Sequence, residues 1–228
     1  MVSPESAVRR LMRETGKLLQ PYGFDSAEAN GTRAESGWTR VEDAGVASVT
    51  RTRTVRNWTG GQQELRFGLA LDATPLAWWE YRNWRNTQLG LAALPREQAE
   101  GPGLLAMSGL PSHASEPWSL RLDPQQPGHA LQADIDVIRA QLPRRVHLYA
   151  RRALRLLQPG VYLDELLAQP DPGLDTWVAI VVLLGADGPG SQLDHACEQL
   201  RLFGVQHDAA SYAGDVIDYA HGQAAAVH

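Results

Sequence analysis

Residues 65–71 of the chain, LRFGLAL, alternate between large apolar side chains and other residue types. The apolar positions, which share one face of an extended chain, are Leu65, Phe67, Leu69 and Leu71. A repeat of two residues is that of a β-strand, and one apolar face is typical of an antiparallel sheet with a single buried side. The stretch therefore predicts a strand of an antiparallel sheet.

Two turn signals divide residues 38–72 into three candidate strands. They are Asp43-Ala44-Gly45 and Thr59-Gly60-Gly61, both typical of β-hairpins. The middle strand places Val49, Arg51, Arg53 and Val55 on one face and Ser48 with three threonines on the other, and the sequence leaves open which face is buried. Residues 118–122 predict a fourth strand, and the prolines beside it suit a sheet edge.

Helices are predicted on both sides of these strands. Residues 3–20 open with Ser3-Pro4, a typical helix start, and continue with an apolar stripe at helical spacing. After Gly128 the helical period continues, with helices over 131–142, 144–157, 161–168, 174–184, 191–203 and 209–221. The predicted fold class is α+β: an N-terminal helix packed on a four-stranded antiparallel sheet over residues 1–127, then an α-helical lobe over 128–228.

The composition predicts a folded protein of the cytoplasm. Hydrophobic residues make up 43% of the chain and charged residues 21%, close to the usual globular mix. We expect no membrane contact, because no apolar run reaches the length of a membrane span and residues 1–17 lack the apolar block of a signal peptide. The single cysteine, Cys197, lies on a predicted apolar helix stripe and is interpreted as a buried core thiol.

The order of these elements resembles the bacterial domain-of-unknown-function family 4304. The similarity rests on the opening helix that ends at Tyr22-Gly23-Phe24, the strand that begins Trp38-Thr39-Arg40, and the LRFGLAL strand. Trp118-Ser119-Leu120 and a helix that ends at Leu142-Pro143 extend it, so it covers about residues 6–150. The resemblance implies a fold and no particular activity.

No sequence motif nominates a catalytic residue, a cofactor or a metal. The chain lacks a nucleophile elbow, a phosphate loop, a dinucleotide fingerprint and a zinc-protease helix. His195 and Cys197 are two positions apart, which on a helix places them on opposite sides, so they do not form a metal site. The loop over 85–116 is unusually long, which indicates either a functional or a poorly ordered segment.

An aromatic and arginine-rich surface is the strongest candidate binding site. Its predicted partner-binding residues are Arg51, Arg53, Arg56, Trp78, Trp79, Tyr81, Arg82 and Trp84. Arginine and aromatic residues are those that interaction hot spots and small-molecule pockets favour. Core packing of the tryptophans and solvation of an open sheet face by the arginines remain the alternatives for these residues.

The leading functional hypothesis is a non-catalytic binding protein whose partner is a protein or a small anionic ligand. A second hypothesis is an enzyme for a small polar or acidic substrate between the two lobes, clamped by Arg51, Arg53 and Arg82. A nucleic-acid accessory protein is the third, and the net charge of −5 disfavours it.

Overall fold

The computed structural model describes residues 2–26, 37–103, 109–126 and 128–227, and it confirms the α+β class. The strands are β1 (Asp25–Ser26), β2 (Gly37–Glu42), β3 (Gly45–Arg51), β4 (Val55–Thr59), β5 (Gln62–Phe67), β6 (Leu69–Pro75) and β7 (Trp118–Arg121). The helices are α1 (Pro4–Leu19), α2 (Leu76–Gln88), α3 (Ser112–Ser115), α4 (Gln132–Leu156), α5 (Val161–Leu167), α6 (Leu174–Asp187), α7 (Ser191–Gln206) and α8 (Ala210–Ala226). Short 3-10 turns cover Gln20–Tyr22 and Arg96–Gln98.

The strands form two sheets, where the sequence predicted one sheet of four strands. The four-stranded antiparallel sheet has the order β1-β2-β3-β6, and a three-stranded sheet has the order β4-β5-β7. In the second sheet β5 pairs antiparallel with both neighbours, for example Leu65 with Arg56 and with Leu120. Trp118–Arg121 is an edge of this sheet, as the flanking prolines predicted.

The predicted middle and third strands are each split in two, and this split creates the second sheet. Thr52 ends the first pairing, because its backbone N–H donates to the Gly68 carbonyl and its hydroxyl accepts from the Gly68 N–H. The chain on either side of this contact belongs to different sheets. The predicted alternation of Leu65, Phe67, Leu69 and Leu71 is nevertheless confirmed, since all four side chains are buried. Val49 is also buried, but Val55 on the same predicted face is 49% exposed, so the split strand has no single buried face over its predicted length.

The chain divides into two compact units that alternate along the sequence. Unit 1 comprises Met1–Arg40, Ala47–Asp72 and Ala106–Arg155, and unit 2 comprises Val41–Val46, Ala73–Leu105 and Leu156–His228. Each unit therefore takes residues from both sides of residue 127, the predicted domain boundary.

Unit 1 has α1 and α4 beside the strands. Ser3 caps α1 by accepting a hydrogen bond from the Ser6 N–H, and the apolar stripe of the helix is buried, as predicted. The backbone of Gly16 lies so close to the Trp38 indole that a Cβ there would be 2.7 Å from its Nε1. At β7, the Arg121 side chain and N–H hold the Asp134 carboxylate of α4.

Helix α4 is continuous through Pro143, so the predicted break at that residue is wrong. A proline inside a helix removes one backbone hydrogen bond and strains the preceding turn. Leu142 and Val146 flank it and are each 1% exposed, and burial of such side chains offsets the lost hydrogen bond. The predicted later helices are confirmed as α5 to α8.

Unit 2 is built around α6, which packs against α2, α5, α7 and α8. This helix is apolar on nearly all sides, with every residue from Val178 to Gly185 buried. An all-round apolar helix is stable in water only at the centre of a domain. Cys197 on α7 is 3% exposed, which confirms the predicted core thiol, and burial raises its pKa.

Gly45 is needed at the turn between β2 and β3. Its φ is 146°, a conformation that residues with a Cβ rarely adopt, and a Cβ there would lie 2.1 Å from the Thr74 carbonyl oxygen. The neighbouring Ala44 carbonyl accepts from the N–H of Leu76, the first residue of α2. The start of α2 is therefore fixed by a turn that tolerates glycine alone.

We predict that Gly45→Ala lowers the free energy of unfolding by about 3 kcal/mol, because it adds both strain and a backbone clash. Gly173→Ala is the control, since Gly173 has a negative φ and open space around its Cα. Chemical denaturation of both variants measures the difference. Equal stability of the two would contradict the close approach at Gly45.

Candidate functional site

Helix α2 carries five of the eight predicted binding residues, and the structure buries them to different degrees. Trp78 is 7% exposed and Tyr81 is 1% exposed, whereas Trp79, Arg82 and Trp84 are half-buried. Tyr81 lies at the centre of an aromatic cluster, with ring centroids 5.3 Å from Trp78, 6.0 Å from Trp84 and 5.2 Å from Tyr219. Core packing therefore accounts for Trp78 and for the ring of Tyr81, one of the alternatives that the sequence left open.

The indole N–H groups of α2 hold part of the long loop that follows the helix. Trp78 donates to the Glu100 carbonyl at 3.1 Å, and Trp79 donates to the Leu94 carbonyl at 2.8 Å. Asn83 adds a bond from the Leu94 N–H to its side-chain oxygen at 2.6 Å. The loop is thus tied to α2 by hydrogen bonds at Leu94 and Glu100.

The exposed side of α2 borders a cleft within unit 2 that consists of two cavities. One has a volume of about 490 Å³ and also contacts the start of α8, and the other has about 400 Å³ and contacts residues 101–103. The residues shared by both cavities are Tyr81, Arg85, Leu89 and Tyr212. Volumes of about 300–1,000 Å³ are typical of small-molecule sites.

The Tyr212 hydroxyl is the polar centre of this cleft. It accepts one hydrogen bond from the Tyr81 hydroxyl at 3.3 Å and another from Arg85 Nη1 at 3.1 Å. The Arg85 guanidinium carbon also lies 4.2 Å from the centroid of the Tyr212 ring. Burial, followed by its hydrogen bond with Tyr212, raises the pKa of Tyr81 far above its usual range, so Tyr81 remains a protonated donor.

These two bonds leave the Tyr212 hydroxyl proton available for a further hydrogen bond. A phenolic oxygen has one proton to donate and two lone pairs to accept with, and here both acceptor positions are in use. Among the described residues, no group accepts the Tyr212 proton. The Tyr212 O–H is therefore a donor for a group that enters the cleft.

Charge is distributed unevenly between the two cavities. The smaller cavity is lined by Arg82 and Arg85 with one acid, Asp175. The larger cavity is lined by Arg85 with two acids, Asp208 and Asp215. The excess of cationic groups near the Tyr212 hydroxyl thus lies on the side of residues 101–103.

The three predicted arginines of the strands belong to unit 1, whereas the five predicted residues on α2 belong to unit 2. Arg51 donates to the Thr54 hydroxyl at 2.9 Å, and Arg56 pairs with Glu5 at 2.7 Å. Arg51 and Arg56 line one cavity of about 410 Å³ together with Arg9 of α1. Arg53 is exposed in the segment between β3 and β4, so it does not continue the strand face that the sequence predicted for it.

Arg85 and Tyr212 are the site residues that the sequence analysis did not select. They are 127 positions apart, and their juxtaposition depends on the packing of unit 2. Tyr212 falls inside a predicted helix, but no local pattern distinguishes it from a surface tyrosine.

Buried carboxylates elsewhere in the described residues have structural partners. Hydrogen bonds from Ser119 and Thr59 hold the pKa of Glu64 below its usual value against the effect of burial. Burial would raise the pKa of Asp134, but the hydrogen bonds from Arg121 outweigh it and lower the pKa.

In the part of the chain that the structure describes, no group of histidine, cysteine and acidic side chains is arranged to hold a metal ion. None of the described helices has the length and apolar character that spanning a bilayer requires.

We predict that Asn83→Ala loosens residues 91–100 without unfolding unit 2, because it removes the side-chain bonds to Leu94. Hydrogen exchange followed by mass spectrometry is expected to show faster exchange of these amides. Gln88→Ala, an exposed change on the same helix, serves as the control. Unchanged exchange in the Asn83 variant would show that the segment is held by other contacts.

Comparisons with protein-family models, with curated proteins and with solved structures found no match. The resemblance to family 4304 therefore stays a prediction, and a functional assignment depends on the geometry of the site.

Proposed function

We propose that the protein is a non-catalytic binding protein, and that its unit 2 cleft binds a small anionic ligand with an apolar or aromatic group. The observation that carries this proposal is the Tyr212 hydroxyl, whose acceptor positions are filled by Tyr81 and Arg85 while its proton is available to the cleft. A ligand that satisfies this donor must present an acceptor oxygen or nitrogen.

An anionic acceptor fits the neighbouring side chains. Arg85 uses one of its five N–H donors on Tyr212, and the Arg82 side chain lines the same cavity. Hydrogen bonds from charged donors to a carboxylate are roughly twice as strong as bonds between neutral groups. Arginine also presents two parallel N–H groups, which match the two oxygens of a carboxylate.

An apolar or aromatic remainder of the ligand fits the walls of the cleft. Trp78, Tyr81 and the Tyr212 ring line the smaller cavity, and Leu89 beside it is 61% exposed. The cavity volume of about 400 Å³ suits one ring with a short acidic chain rather than a folded protein surface. Phenylacetate has this chemistry and is the probe of choice.

We predict that phenylacetate binds the wild-type protein. Tyr212→Phe is expected to weaken this binding about tenfold, because it removes one hydrogen bond to a charged acceptor, and such a bond contributes roughly 1.4 kcal/mol. Isothermal titration calorimetry measures both affinities. Tyr219→Phe is the matched control, because Tyr219 lies on the same helix and lines neither cavity. Both variants retain their aromatic rings.

The fold of the Tyr212 variant is checked separately, because the substitution leaves the buried Tyr81 hydroxyl without its acceptor. We expect a loss of about 1 kcal/mol in the free energy of unfolding, too little to unfold the protein. If phenylacetate does not bind the wild type, or binds the folded Tyr212 variant equally well, the proposal is wrong.

A further inference from the structure

Strand β4 lies at the edge of its sheet in unit 1. β4 is the terminal strand of its sheet, and no strand of the described residues pairs with its outer side. Two of its large apolar side chains are also exposed, Val55 by 49% and Trp58 by 74%. Open, exposed edges are templates for pairing with another strand.

The hydrogen-bonding pattern identifies which backbone groups of β4 point outward. Gly60 and Gly61 both have positive φ and close a two-residue hairpin, so Thr59 and Gln62 form its first hydrogen-bonded pair. The Gln63 carbonyl accepts from Leu122 beyond β7, so the backbone groups of Gln63 face away from β4. By alternation, the N–H and C=O groups of Arg56 and Trp58 point away from β5.

We propose that β4 pairs with β4 of a second copy of this chain, antiparallel and about a two-fold axis at Asn57. This register places Arg56 of one copy opposite Trp58 of the other, so that their outward backbone groups exchange hydrogen bonds twice across the axis. It also pairs Val55 with Thr59, which keeps all five β4 residues in the new ladder. A two-fold axis at Arg56 would oppose two arginines, and an axis at Trp58 would extend the pairing into the Gly60 turn.

The side chains of β4 are complementary to themselves in this register. Directly opposed side chains on a sheet lie about 4.5–5.5 Å apart at Cβ, within reach of a guanidinium for an indole face. Arg56 and Trp58 project from the same face of β4 because they are two positions apart. In the single chain Arg56 pairs with Glu5. Both side chains are more than half exposed, and such surface pairs contribute little stability, so Arg56 can exchange Glu5 for the opposed Trp58 at little cost.

The proposed partner of β4 is a second copy of the chain and not an extended segment of another protein. The reason is that Arg56 and Trp58 supply both halves of the contact, so one sequence satisfies both sides of the axis. An extended segment from another protein would leave the purified chain monomeric, which makes that alternative an outcome of the test.

A cysteine at the two-fold axis tests the register directly. Asn57 would face its own copy in a pair without mutual hydrogen bonds, with Cα atoms about 4.5 Å apart, a distance that suits a disulfide. In a Cys197→Ala background, Asn57→Cys is expected to form a disulfide-linked dimer under mild oxidation. Val55→Cys in the same background is the control, because the proposed register separates its two copies by about 13 Å along the strands.

The contact between Arg56 and Trp58 is tested by sedimentation of the uncrosslinked protein. The wild type is expected to form a dimer, and Trp58→Ala to raise its dissociation constant about tenfold. Exchanging the two residues, as Arg56→Trp with Trp58→Arg, recreates the same opposed pair and is expected to restore the dimer. Thermal melting confirms that each variant is folded.

Two results would overturn the proposal. One is a wild type that remains monomeric at every concentration studied. The other is disulfide formation by Val55→Cys as fast as by Asn57→Cys, which would indicate random collisions instead of a defined register.

Discussion

The buried phenol of Tyr81 sets the constraint on which the polar centre of the unit 2 cleft depends. Its ring is 1% exposed, and a buried hydroxyl without a partner costs about 1–3 kcal/mol. Tyr212 supplies the acceptor and so joins the first turn of α8 to α2 by a hydrogen bond. Because Arg85 bonds the same oxygen, the Tyr212 proton is directed to the cleft. A requirement of the core thus creates the polar centre of the candidate site.

Segments with a clear hydrophobic periodicity were predicted well from the sequence. The period-two stretch from Leu65 to Leu71 is buried on its apolar side, and the helical periods of α1 and α5 to α8 correspond to helices. Two failures share a physical cause, which is that a distant contact overrides a local signal. Thr52 replaces a strand pairing with bonds to Gly68, and α4 continues through Pro143, where the buried side chains of Leu142 and Val146 offset the lost hydrogen bond.

The sequence predicted only one part of the candidate site, the residues on α2. Composition selected α2, because three tryptophans, a tyrosine and two arginines within eight residues are rare outside cores and binding sites. Trp78 and Trp79 are neighbours of the same type, yet the first is buried and the second half-buried, and only the packing of α2 decides between them. Tyr212 and Arg85 lie far apart in the chain, so their bond depends on tertiary structure that no local pattern encodes.

The central claim is that the unit 2 cleft is the ligand site, and nuclear magnetic resonance maps it without any substitution. In a titration of isotopically labelled protein with phenylacetate, the account predicts the largest amide shift changes in α2, in residues 101–103 and in the first turns of α8. Shift changes concentrated in unit 1, at the arginines of α1 and of β3 and β4, would contradict it and would place the anion site there.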